Sequence, residues 1–213
     1  MNADSFLKQR LVCVAVIDKT EDAAPLAEAL LAGGLNCIEV TFRTAGAAES
    51  IMAIRKKVPQ ITVGAGTLLT ADTVKQAIDV GAQFGVSPGL SESVMEIANE
   101  RDFPLFPGVI TPTEVMRALD LGAKHLKFFP AETFGGVNAL KALAGPFGHT
   151  GVKFIPTGGI NAASLPNYLA VPQVAAIGGS WMAERKLVAD KAWDKITALT
   201  AEAMKVIAQS PKT

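Results

Sequence analysis

Eight short apolar, β-branched runs alternate with amphipathic stretches along the 213 residues, and each amphipathic stretch carries one apolar stripe. Repeated βα units of this kind predict an α/β protein with a parallel sheet, and eight of them close most naturally into a (β/α)8 TIM barrel. With 49% hydrophobic and 19% charged residues, the chain can bury its core as one domain over residues 1–213. That is compact for a fold that usually runs to about 250 residues. An open doubly wound sheet is the competing arrangement.

A short N-terminal helix is expected ahead of the first strand, LVCVAVI (11–17). Leu26, Ala29, Leu30 and Gly33 then recur at helical spacing and lead to NCIEVTF (36–42). Ile51, Ile54 and Val58 mark the next helix before ITVGAG (61–66), and Val74, Ala77, Ile78 and Gly81 the one before AQFGVS (82–87). Gly33-Gly34, Gly81 and Gly122 fall where helices should end. The fifth strand is PLFPGV (104–109), after which TPTE (111–114) offers Thr111 as N-cap, Pro112 at the first helical position and Glu114 to complete a capping box. AKHLKFF (123–129) and VKFIPT (152–157) follow, with Asn161 placed to cap the helix after the latter. VAAIGG (174–179) is the eighth strand, and a last helix presents Trp193, Ile196, Leu199 and Ala203 on one face.

Composition removes several functions. Twenty basic and 20 acidic residues give a formal net charge of +0, with no basic stripe of the kind that neutralises a phosphodiester backbone, so no nucleic-acid partner is expected. The start shows an apolar run only at 11–17 without a cleavage pattern, and nothing approaches the ~20 apolar residues of a membrane span. Cys13 and Cys37 lie in strand-like runs and read as reduced core residues of a cytoplasmic protein. Only His125 and His149 are present, too few for a three-histidine zinc site, and no close carboxylate cluster stands out. GAGTLL lacks the third glycine of a dinucleotide fingerprint. No metal and no cofactor are expected.

A weak internal repeat aligns AGGLNCIEVT (32–41), DVGAQFGVSP (79–88) and DLGAKHLKFF (120–129) without gaps. Counting five residues from Gly34, Gly81 and Gly122 reaches Glu39, Val86 and Lys127, equivalent places on strands two, four and six. Alternate strands of such a barrel feed the same interior layer, so both charged groups should face the axis while Ile38, Val40, Leu126 and Phe128 face the helices. A lysine walled by apolar groups loses solvation of its charged form, which lowers its pKa from about 10.4 and yields neutral amine. Such an amine attacks a ketone or aldehyde to give a Schiff base, and Glu39 beside it can move protons. A plain buried ion pair is the competing reading.

Two glycine pairs sit where this fold builds its phosphate pocket, TGGI (157–160) after strand seven and IGGS (177–180) after strand eight. Gly158, Gly159 and Gly179 would let backbone N–H groups approach an anion, with hydroxyls from Thr157 and Ser180; glycines needed only for tight turns are the alternative. Arg43 could clamp a carboxylate, or be an ordinary loop arginine, and Thr67 could add a hydroxyl. Pro88 and Phe129 look like pocket walls, or plain packing.

IEVTFRT (38–44), VGAGT (63–67), VSPG (86–89), KFFPAE (127–132), AGPFG (144–148), PTGGI (156–160) and IGGSW (177–181) closely resemble the 2-keto-3-deoxy-6-phosphogluconate (KDPG) aldolases, some of which also cleave 4-hydroxy-2-oxoglutarate (KHG). The resemblance runs in order from about Leu11 to Trp181. It implies a class I aldolase of the Entner–Doudoroff route, a homotrimer that cleaves KDPG to pyruvate and glyceraldehyde 3-phosphate without an external cofactor. It further implies Lys127 as Schiff-base lysine and Glu39 as proton-transfer carboxylate. Arg43 and Thr67 would hold the pyruvate carboxylate region, and Gly158, Gly159, Gly179 and Ser180 the phosphate, with Thr157 and Pro88 nearby. An aldolase acting mainly on the unphosphorylated KHG, an aldolase for the galactonate epimer, and a phosphosugar isomerase or phosphate-binding barrel without Schiff-base chemistry are the alternatives.

Overall fold

The computed structural model describes residues 7–210. Its strands are β1 (Leu11–Ala15), β2 (Cys37–Thr41), β3 (Thr62–Gly66), β4 (Gly85–Val86), β5 (Leu105–Phe106), β6 (Gly108–Val109), β7 (His125–Phe128), β8 (Lys153–Pro156) and β9 (Ile177–Gly179). Between them run α1 (Ala23–Ala32), α2 (Ala47–Lys57), α3 (Ala71–Asp79), α4 (Glu92–Glu100), α5 (Pro112–Asp120), α6 (Gly136–Ala144), α7 (Leu165–Leu169), α8 (Arg185–Ala189) and α9 (Trp193–Gln209). The N-terminal helix expected from the sequence falls largely on residues 1–6, outside the described residues.

Every strand pairing among the described residues is parallel, as connection through helices requires. One sheet has six strands in the order β5-β4-β3-β2-β1-β9, the other three in the order β6-β7-β8. The fifth strand expected from the sequence is thus divided into β5 and β6. Pro107 lies at the break: it has no N–H to give the ladder, although its carbonyl still accepts from Lys127 N at 2.8 Å. Isolated parallel bridges join Phe154 to Val174 and Thr157 to Gly178, linking β8 toward the strand-nine side of the larger sheet. The arrangement is barrel-like.

Period-2 alternation divides the core in two. Leu11, Cys13, Ala15, Ile38, Val40, Leu126 and Phe128 pack on the helix side, with Leu26, Leu30, Ile51, Ile54 and Val115 of the helices. On the opposite face a smaller cluster gathers Val12, Cys37, Val86 and Phe106 of the six-stranded sheet with Ile155 of the three-stranded one. Each fully buried Leu or Ile stabilises the fold by about 1.5–3 kcal/mol relative to exposure.

Helix ends follow local chemistry. At α5, Thr111 Oγ1 accepts from Glu114 N at 3.3 Å, and Glu114 Oε2 accepts from Thr111 N and Ile110 N, each at 2.8 Å. Partial burial opposes the Glu114 charge, but these donors outweigh it and hold its carboxyl below the ordinary range. After β8 the helix begins later than the sequence suggests: Asn161 Oδ1 accepts from Ala163 N and Ser164 N, capping a turn, and α7 starts only at Leu165. On α9 the buried residues are Ile196, Thr200 and Ala203, with Trp193 and Leu199 at the margin. Thr200 is tolerated among them because its hydroxyl donates to Ile196 O at 2.7 Å and its methyl face lies against Gly33.

On β3 the absence of side chains is itself structural. A Cβ at Gly64 would lie 2.3 Å from two carbons of the buried Phe84 ring. Gly64→Ala should therefore lower stability by about 1–3 kcal/mol in urea unfolding, and Phe84→Leu in the same chain should recover part of it. An unchanged midpoint for the single variant would contradict the packing described.

Candidate active site

The strand ladder brings Glu39 and Lys127 to one chamber. Glu39 is in register with Val14 on β1 and Gly64 on β3, while Lys127 is in register with Gly108 on β6 and Ile155 on β8. Both face away from the helices and are buried, Lys127 at 6% and Glu39 at 3% exposure. Lys127 Nζ stands 3.7 Å from Glu39 Oε1 and 4.8 Å from the centroid of the Phe129 ring. Glu39 Oε1 makes no hydrogen bond. A stabilising ion pair closes to about 2.7–2.9 Å; this one leaves both groups with hydrogen-bonding capacity turned into a cavity.

Room for the carboxyl comes from the neighbouring strand. A Cβ at Gly66 would lie 2.0 Å from Glu39 Oε1 and 2.7 Å from its Cδ, so Glu39 leans across a position that only glycine leaves open. Cys13 and Cys37 flank this region, and burial, reinforced by the negative charge of Glu39, pushes both thiols well above their ordinary range. They stay protonated.

The cavity encloses about 360 Å³ and is lined by Glu39, Arg43, Thr67, Pro88, Lys127, Phe129, Thr157, Gly158, Gly159 and Ser180, together with Val14, Thr41, Ile160 and Gly178. Of the residues singled out from the sequence, Gly179 alone is not in the lining. Alternation along β9 explains the difference: Gly178 faces inward, where a Cβ would lie 2.2 Å from Thr157 Oγ1, and Gly179 faces the Trp181 ring, 2.0 Å from where its Cβ would be. Thr41 was legible as the next inward position after Glu39. Val14 is likewise an alternate residue of β1, whereas Ile160 carries no signal of its own.

Two backbone features mark the walls. Thr67 has φ +61°, costly for a β-branched residue, and sits where the chain leaves β3. Gly158 and Gly159 have φ +103° and +78°. Their loop is pressed against the turn that follows β7: Ala131 N donates to Thr157 O at 2.8 Å and Glu132 N to Gly158 O at 3.1 Å. The Thr157–Gly178 bridge turns the Gly158 N–H toward Gly178 O, and among the described residues no group accepts the N–H of Gly159. Successive N–H groups in such a conformation form a concavity suited to an anion. Arg43 is exposed and borders a second cavity of about 390 Å³, which also contains Ser180, Glu184 and Arg185. No group of three or more His, Cys, Asp or Glu side chains able to hold a metal occurs among the described residues, nor is any described helix long and apolar enough to cross a membrane.

The pair geometry has an energetic consequence. Lys127→Met leaves Glu39 buried beside no cation and should cost about 3 kcal/mol in urea unfolding, whereas Lys127→Met combined with Glu39→Gln should cost less than half of that. With Glu39→Gln alone completing the cycle, a double-variant loss equal to the sum of the two single losses would mean the two groups are not coupled.

Comparison with known proteins agrees with this geometry. The family model described as KDPG and KHG aldolase matches residues 3–199. The KHG/KDPG aldolase of Escherichia coli (strain K12) is 47% identical over 194 residues, 91% of this chain and 90% of that protein. The 2-dehydro-3-deoxy-phosphogluconate aldolase of Treponema pallidum (strain Nichols) is 44% identical over 204 residues, 96% of each chain. Among solved structures, the KDPG aldolase of Legionella pneumophila, with pyruvate captured at low pH as a covalent carbinolamine intermediate, superposes with a TM-score of 0.91 at 38% identity, covering 95% of this chain and 98% of that one. The chain belongs to the KDPG and KHG aldolase family.

Proposed function

We propose that this chain is a class I aldolase that cleaves KDPG to pyruvate and glyceraldehyde 3-phosphate, and also KHG to pyruvate and glyoxylate. One observation carries the reading: a buried lysine opens on a cavity 3.7 Å from a carboxylate with an unused oxygen, and the same cavity is lined by a loop of two left-handed glycines. The family match, and the carbinolamine of pyruvate in the Legionella relative, support the same chemistry.

In this reading the unprotonated amine of Lys127 attacks the C2 ketone, and the carbinolamine loses water to give a protonated imine. Glu39, through a water, removes the C4 hydroxyl proton. The C4–O electrons form the aldehyde, the C3–C4 bond breaks, and its pair passes to the imine nitrogen as an enamine. The aldehyde leaves, the enamine takes a proton at C3 from Glu39, and water hydrolyses the imine to pyruvate and free lysine. No external redox partner or cofactor enters the balance.

Arg43 and Thr67 hold the carboxylate end, with Pro88 and Phe129 walling the carbon chain. Gly158, Gly159, Ser180 and Thr157 receive the phosphate, with Gly178, the inward glycine of β9, beside them. The architecture is a closed, single-domain (β/α)8 barrel: the Thr157–Gly178 and Phe154–Val174 bridges support closure on one side, and the continuous chain through Pro107 supports it on the other. The same reading makes the enzyme a cytoplasmic homotrimer.

Borohydride reduction with pyruvate should add mass to the peptide carrying Lys127 and leave Lys127→Met unmodified. Glu39→Gln should still be trapped but turn over KDPG at least about 100-fold more slowly. Label on another lysine, or full turnover by Glu39→Gln, would overturn the assignments. Parallel kinetics on KDPG and KHG should favour the phosphorylated substrate.

A further inference from the structure

Behind the glycine loop lies a contact that neither the motifs nor the chemistry call for. Tyr168 of α7 is fully buried, and its hydroxyl donates to Glu132 Oε1 at 2.6 Å. Burial first, then the Glu132 carboxylate, push this phenol above its ordinary range, so it keeps its proton and remains a donor. Glu132 is otherwise an exposed residue in the turn after β7.

That turn is the back wall of the candidate phosphate loop. Glu132 N donates to Gly158 O, and a Cβ at Gly159 would lie 2.7 Å from Glu132 Cβ and 2.9 Å from its Cγ. A Cβ at Gly158 would meet Pro130 Cα at 3.2 Å and Pro130 Cβ at 3.3 Å. Gly136 N closes the turn on Ala131 O at 2.9 Å, and a Cβ at Gly136 would lie 3.5 Å from the Tyr168 hydroxyl. The turn begins three residues after Lys127, so whatever fixes Glu132 fixes the spacing between the reacting amine and the anion-binding N–H groups.

We infer that Tyr168 and Glu132 are positioning residues for the phosphate end of the substrate. Their hydrogen bond holds the 130–136 turn against Gly158 and Gly159 and thereby sets affinity for a phosphorylated keto acid, without touching the bonds that break. The inference rests on the aldolase reading and on the glycine loop as its phosphate site.

The test is steady-state kinetics on KDPG and KHG for wild type, Tyr168→Phe, Glu132→Ala and Glu132→Gln, with thermal melts alongside. Tyr168→Phe should raise KM for KDPG about tenfold, the loss of one hydrogen bond to a charged group, with kcat within about twofold. KM for KHG and borohydride trapping with pyruvate should not change. Glu132→Ala, at an exposed position, should behave alike, and Glu132→Gln, which keeps an acceptor oxygen and the methylenes against Gly159, should restore most of the affinity. KM shifts equal on both substrates, or absent while wild type cleaves KDPG normally, would overturn the inference alone. Failure of wild type to cleave KDPG would instead remove the reading beneath it.

Discussion

The structure depends on keeping two opposite charges together in a chamber where neither is fully neutralised. Lys127 and Glu39 are nearly inaccessible, yet they stand at 3.7 Å rather than in hydrogen-bonded contact. Burying charges without close pairing is unfavourable, so the surrounding elements must over-determine the arrangement. They do so through backbone: each charged residue is flanked in sequence by apolar neighbours anchored on the helix side, Ile38 and Val40 for the acid, Leu126 and Phe128 for the amine. Rotating either side chain out of the chamber would require turning a whole strand over.

Much of this was legible because strand alternation is a strict period. Once Glu39 and Lys127 are aligned by the glycine-anchored repeat, their common facing follows, and Gly34, Gly81 and Gly122, which anchor it, all have φ near +90° (90°, 85° and 85°). The capping box at Thr111 was equally readable, since its partners lie within four residues. What sequence reasoning missed depends on contacts between distant segments or on fine register. The break at Pro107, the exchange of Gly178 for Gly179 and the late start of α7 are shifts of one to a few residues. The left-handed backbone of Thr67 has no marker in its residue type. Glu132 and Tyr168 are 36 positions apart.

The same contrast separates chemistry from substrate choice. The proposed reactive groups are specified by residue type on regular strands, where geometry is inherited from the ladder. The proposed anion-binding end lies on loops, where N–H direction depends on left-handed glycines and on the turn packed behind them. A site assembled in this way can keep its covalent step while its preference for one keto acid over another drifts with loop contacts.

Cys37 lies on the same strand face as Glu39, two residues away, and sulfur is intrinsically a stronger nucleophile than nitrogen. Yet burial and the adjacent carboxylate keep that thiol in its unreactive form. Burial comes first in keeping sulfur out of play, since Cys37 is fully buried and does not line the cavity, and the Glu39 charge adds to it, so nitrogen is the nucleophile on the face that opens to the chamber.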